Sequence, residues 1–219
     1  MIQCRNVIKE FGNPAQRVLH GLTFDIRDGE FVSISGRSGS GKSTLLYIIS
    51  TLDKTTSGEV LIDGRNVDTM TIDEVHKFRN ENVGFIFQFH YLLPELTALE
   101  NVLLPARNLG IIKEKTPHAE ELLRELEVYT EKDKYPSQMS GGQQQRIAIA
   151  RALILKPKYI FADEPTGNLD TYNAEVVMNM LKRISQDHGT TIALVTHETI
   201  FAARADREIY LVDGKISNR

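Results

Sequence analysis

Phe31-Val32-Ser33-Ile34-Ser35-Gly36-Arg37-Ser38-Gly39-Ser40-Gly41-Lys42-Ser43-Thr44-Leu45-Leu46-Tyr47-Ile48-Ile49 is the stretch from which the fold can be read. An apolar strand-like run meets a glycine-rich turn, and an apolar helical pattern opens directly behind it. That order and spacing are what a phosphate-binding loop requires. Gly36, Gly39 and Gly41 let the backbone curl with its N–H groups inward, and the helix start adds about half a positive charge. Lys42 is placed to reach β- and γ-phosphates, and Ser43 offers a hydroxyl to Mg²⁺. Ser38, Ser40 and Thr44 belong to the same predicted cradle.

Working outward, further β-rich runs occur at Leu22–Ile26, Val83–Phe87, Tyr159–Ala162, Thr191–Val195 and Ile209–Val212. Several are apolar nearly throughout, as in strands buried on both faces of a largely parallel sheet. Helical stripes lie between them, for example Ala119, Leu122, Leu123 and Leu126, and Val176, Val177, Met180, Leu181 and Ile184. The alternation predicts an α/β fold. The first strands, with turns at Asp28-Gly29 and Asp63-Gly64, look antiparallel. From Pro94 to Lys156 helix signals dominate, with capping-box patterns at Thr97–Glu100 and Ser140–Gln143. We therefore expect one cassette, with a core over 1–87 and 158–219 and a helical insertion over 88–157. A short helix over Thr199–Ala205 and a last strand ending at Asp213-Gly214 close the pattern, with too little chain after them for a regulatory domain.

Composition narrows the classes. The 219 residues carry a net charge of −3, so no basic field marks a nucleic-acid or anionic-membrane partner. Cys4 is the sole cysteine, which excludes an internal disulfide framework and a multi-cysteine zinc site. No secretory leader pattern opens the sequence, and no apolar run reaches the ~18 residues that span a bilayer. A membrane role would require docking.

A phosphate loop alone leaves kinases, GTPases and many ATPases open. Tyr159-Ile160-Phe161-Ala162-Asp163-Glu164 narrows them: a strand ending in Asp163 delivers a carboxylate to a metal beside the loop. Glu164 is then free to polarise an attacking water. Met139-Ser140-Gly141-Gly142-Gln143 heads a helix and makes a second anion-binding terminus. One small domain needs only one such terminus per triphosphate, so the second suggests the γ-phosphate held by a neighbouring subunit. A capped helix start would account for Ser140 and Gln143 but not for the paired glycines.

The phosphate loop, Gln88, Ser140–Gln143, Asp163-Glu164, Leu169-Asp170 and His197, in that order, resemble the motif set of ATP-binding-cassette ATPases over nearly the whole chain. The resemblance implies a P-loop nucleotide-hydrolase core and a head-to-tail homodimer enclosing two ATPs. Each ATP would lie between one subunit's phosphate loop and the other's Ser140-Gly141-Gly142-Gln143. It further implies Glu164 as general base, His197 on the γ-phosphate, Asp163 and Gln88 beside Ser43 in the Mg²⁺ environment, and Asp170 at the dimer seam. Phe11 stands where the family stacks an aromatic on adenine, and Met139 replaces the usual leucine before the signature serine.

Phe87–Val102 and Asp163-Glu164-Pro165-Thr166-Gly167-Asn168-Leu169-Asp170 resemble the group of lipoprotein-releasing Lol, MacB and FtsE ATPases. By that resemblance the partners would be integral membrane permease subunits of LolC/LolE type, with the chain peripheral on the cytoplasmic face of the inner membrane. Exporters of the MacB or antimicrobial-peptide kind and FtsE-like cell-division ATPases remain open, as does a soluble cassette acting on DNA or ribosomes. The last is opposed by the single cassette and the lack of a long heptad insert or basic stripe.

Overall fold

Side chains alternate between two apolar layers along the strand that starts at Phe31. The computed structural model of the chain describes residues 1–217. In order, the elements are β1 (Ile2–Phe11), β2 (Gln16–Ile26), β3 (Phe31–Gly36), α1 (Lys42–Ile49), β4 (Ser57–Ile62), β5 (Arg65–Asn66), α2 (Ile72–Asn82) and β6 (Val83–Phe87). Then follow α3 (Ala98–Val102), α4 (Leu104–Asn108), α5 (Ile112–Glu125), α6 (Gly141–Leu153), β7 (Tyr159–Asp163) and α7 (Thr171–His188). The chain closes with β8 (Thr191–Val195), α8 (Thr199–Ala202), β9 (Arg207–Val212) and β10 (Lys215–Ile216).

The larger sheet has the order β10-β9-β3-β8-β7-β6, parallel except for β10. The smaller sheet, β2-β1-β4-β5, is antiparallel. Successive strand residues face opposite ways. Ile160, Ala162, Ile192 and Leu194 therefore join one apolar layer with Val102, Leu123 and Ile147 of the helices. Phe161, Ala193, Val195 and Ile34 join the other layer with Ile2, Val7 and Leu19 of the small sheet and Leu45 and Ile49 of α1. Each fully buried aliphatic or aromatic side chain contributes about 1.5–3 kcal/mol. The predicted α/β architecture with an antiparallel N-terminal part is present, and the helices α3–α6 lie between β6 and β7.

Two details differ from the sequence pattern. The helix expected over Thr199–Ala205 ends at Ala202, because Arg204 and Ala205 donate to Phe201 and Ala202 in tightened turns while the Asp206 amide donates to Phe31. The Asp213-Gly214 turn is not a terminus of the sheet but the link from β9 to β10. Gly214 accepts from the His20 amide at 2.9 Å and donates to the Ser40 carbonyl at 3.1 Å, so this turn braces the phosphate loop from behind.

Register aligns the carboxyl ends of the parallel strands. Gly36 lies opposite Leu211, Val195 opposite both Ile34 and Asp163, and Asp163 opposite Phe87. Ligand sites of open α/β sheets form outside that edge.

Candidate active site

At the end of β3, Gly36, Gly39 and Gly41 take φ of +145°, +78° and +95°. A Cβ at Gly36 would lie 2.2 Å from the Leu211 carbonyl oxygen, and one at Gly41 2.8 Å from Leu19. Close packing as well as backbone freedom therefore demands glycine at both positions. No side chain caps the start of α1, so its first amides have no side-chain acceptor at the cap. Lys42 is buried and donates to the Arg37 carbonyl at 3.1 Å, so its ammonium is held over the loop.

Asp163, at the end of β7, receives two hydroxyls from α1. Ser43 Oγ donates to Oδ1 at 3.1 Å and Tyr47 Oη donates to Oδ2 at 3.1 Å. Burial raises the Asp163 carboxyl above its ordinary range; the two hydroxyls and Lys42 oppose that rise, and Glu164 adds to it. Burial and the Asp163 charge push the Tyr47 phenol up to about 12, with a smaller push from Tyr91, so it stays a donor. Tyr47 escapes motif reading. Its only signal is the i,i+4 relation to Ser43, which puts both hydroxyls on one helix face.

The next residue breaks the strand line. Glu164 has φ +47°, a left-handed backbone that costs a non-glycine residue roughly 1–2 kcal/mol. Its amide donates to Val195 at 3.0 Å and its carbonyl accepts from Gly167 at 3.1 Å, which holds the turn. The carboxylate thereby reaches His197 Nδ1 at 3.1 Å. A carboxylate at the sheet edge, with an imidazole beside it, can take a proton from water.

The predicted residues do not all converge within one chain. Gln88 Nε2 donates to Asn168 Oδ1 at 3.4 Å and Asn168 Nδ2 donates to the Gln88 carbonyl at 3.1 Å, which ties the segment after β6 to the loop after Glu164. Asp170 caps α7, accepting from the Asn173 amide at 2.8 Å on Oδ1 and from Asn173 Nδ2 at 2.8 Å on Oδ2. Ser140 and Gln143 form the predicted capping box at α6. A Cβ at Gly142 would fall 2.3 Å from Asn173 Oδ1, whereas nothing lies within 4 Å of one at Gly141. The Asn173 side chain thus crowds Gly142, a contact the sequence argument did not include, and Gly141 remains open on its outer side. Phe11 ends β1 half-exposed, with Lys9 Nζ 4.8 Å from its ring centroid.

This strand–loop–helix with its edge carboxylates defines a P-loop nucleotide hydrolase carrying a second helix terminus. The family model described as "ABC transporter" matches residues 19–167, more than half of the chain, and the chain belongs to that family of ATPases. Among curated relatives, the lipoprotein-releasing system ATP-binding protein LolD of Leptospira interrogans is 52% identical over 98% of this chain and 90% of its own length. The protein of that name from Bacteroides fragilis is 45% identical, covering 99% and 100%. A solved dimeric bacterial ABC transporter cassette has a TM-score of 0.91 and 43% identity, with 100% of this chain and 97% of that one covered. A dimeric post-hydrolysis cassette bound to ADP and Pi has a TM-score of 0.88 at 40% identity, with the same coverage.

Proposed function

We propose that the chain powers lipoprotein release from a bacterial inner membrane, as a homodimer beneath membrane subunits of LolC/LolE type. The observation that carries this reading is the identity to LolD proteins over nearly the full length of both chains. No helix among the described residues is long and apolar enough to cross a membrane, and in this reading contact with the bilayer runs through the partner, from the cytoplasmic face. A groove lined by Phe85, Phe87, Tyr91, Leu104 and Arg151, beside exposed Phe89 and Leu93, offers the partner an apolar seat.

Within each copy, the amides of Gly36–Thr44 and the Lys42 ammonium hold the triphosphate, and Phe11 stacks on adenine. Ser43 Oγ and Asp163 Oδ1, both hard oxygen donors and one of them a half-buried carboxylate, fit Mg²⁺, with Gln88 as a further oxygen donor. Held by these residues, Mg²⁺ would supply neutralisation of the phosphate charge. Glu164 accepts the proton of the attacking water, while His197, beside Glu164 through Nδ1, donates Nε2–H to the γ-phosphate. The Ser140 hydroxyl and the Gly141-Gly142 amides of one copy close on the γ-phosphate of the other, with Asp170 at the seam. Loss of one such preorganised donor set costs roughly 10²- to 10³-fold in rate. Because each pocket is shared, ATP favours the closed dimer and hydrolysis removes that preference.

The test is reconstitution with LolC/LolE-like membrane subunits in vesicles loaded with a lipoprotein. ATP-dependent release that vanishes with Glu164→Gln is expected. ATP hydrolysis without release in the wild-type complex would reject the assignment.

A further inference from the structure

Asp163 has two carboxylate oxygens, and α1 supplies a hydroxyl to each. Ser43 Oγ on Oδ1 and Tyr47 Oη on Oδ2, both at 3.1 Å, arrive from residues one helical turn apart. A single hydrogen bond leaves a carboxylate free to rotate about its Cβ–Cγ bond, whereas a donor on each oxygen fixes its plane. Tyr47 is itself held: it lies partly buried against the apolar layer between α1 and the small sheet, and its carbonyl accepts from the amides of Leu52 at 2.8 Å and Asp53 at 3.1 Å. The phenol thus sits on a fixed backbone.

We propose that Tyr47 is a positioning residue for the metal site, setting the plane of the Asp163 carboxylate so that Oδ1 is presented toward the cation beside Ser43. Tyr47 touches neither nucleotide nor metal in this assignment. It acts through Oδ2, the outer-sphere support that metal-binding carboxylates need. Removing such a support commonly costs about 10- to 100-fold in metal affinity. The inference rests on the reading of Ser43 and Asp163 as the Mg²⁺ environment.

The test uses the full chain with Mn²⁺ as a paramagnetic probe and a non-hydrolysable ATP analogue. Mn²⁺ affinity is read by electron paramagnetic resonance, and metal-free nucleotide binding is read in EDTA with a fluorescent ATP analogue. Tyr47→Phe should weaken Mn²⁺ about tenfold or more while metal-free nucleotide affinity stays unchanged. In turnover assays the same variant should need about tenfold more Mg²⁺ to reach half-maximal rate, yet approach wild-type kcat at saturating Mg²⁺. Wild-type Mn²⁺ affinity in Tyr47→Phe, with Asp163→Asn losing it, would overturn the role of Tyr47 and leave the metal site standing. Asp163→Asn with wild-type Mn²⁺ affinity would overturn the metal site and this inference together. A Tyr47→Phe protein with a lowered Tm and a kcat that high Mg²⁺ does not restore would show a purely structural residue and also overturn the proposal.

Discussion

Substituting Gly142 by Ala sets two effects of known sign against each other. Alanine is favoured over glycine within a helix by up to about 1 kcal/mol, less so near an N-terminus. Against this, the new methyl would stand 2.3 Å from Asn173 Oδ1 and 2.5 Å from its Cγ. Asn173 must swing away and give up its 2.8 Å hydrogen bond to Asp170 Oδ2. A hydrogen bond to a charged group contributes about 1.5–3 kcal/mol, and the exposed setting puts this one at the lower end. Gly142→Ala should therefore destabilise the nucleotide-free chain by about 1 kcal/mol. Asn173→Ala removes the obstacle, and in that background Gly142→Ala should instead stabilise by up to about 1 kcal/mol. The coupling energy is then about 2 kcal/mol, read by urea unfolding of the four proteins. Additivity within about 0.5 kcal/mol would refute the claim that packing against Asn173 is what requires glycine here.

Gly36→Ala should destabilise by about 3 kcal/mol, combining overpacking of about 1–3 kcal/mol with a backbone that L-residues disfavour, because its Cβ would meet the Leu211 carbonyl at 2.2 Å. It should also abolish nucleotide binding, and retention of wild-type affinity for a fluorescent ATP analogue would contradict the cradle. At the opposite edge of the sheet, burial raises the Asp63 carboxyl, but hydrogen bonds from Lys158, the Met1 amine and Tyr159 outweigh it and bring it to about 2. With the folded value below the unfolded ~3.9, this stability is full above pH ~4 and is lost as pH falls through about 2. Asp63→Asn should flatten that acid limb in Tm-versus-pH scans, and an unchanged limb would remove Asp63 from the account.

Legibility in the sequence followed locality. The phosphate loop, both capping boxes and the buried parallel strands are written in contiguous residues, and each stands at or near its expected place. The small sheet was harder to read because its periodicity is broken. β1 carries register shifts between Cys4 and Val7, Val7 and Ile8, and Lys9 and Glu10, and Asn6 has φ +49°. β2 likewise begins at Gln16, well before the apolar run at Leu22 that marks it. Surface helix α2 fully buries no side chain and packs only Val75 and Phe78 half-buried on the core, so its stripe is short, although Thr71 and Glu74 form a capping box. Within the site, residue types were legible and partnerships were not. The Tyr47–Asp163, Asn168–Gln88 and Gly142–Asn173 contacts span 116, 80 and 31 residues of chain, and only the folded sheet edge brings them together. Gly142 is the instructive case, since the Asn173 side chain and the proposed γ-phosphate turn both favour glycine there.

The shared pocket is tested most directly by light scattering of Glu164→Gln with Mg²⁺ and ATP. The account predicts a mass near twice the 24.7 kDa chain, and a return to the single-chain mass when Ser140→Arg is added, with nucleotide still bound. An ATP-dependent dimer of the doubly substituted protein would contradict it.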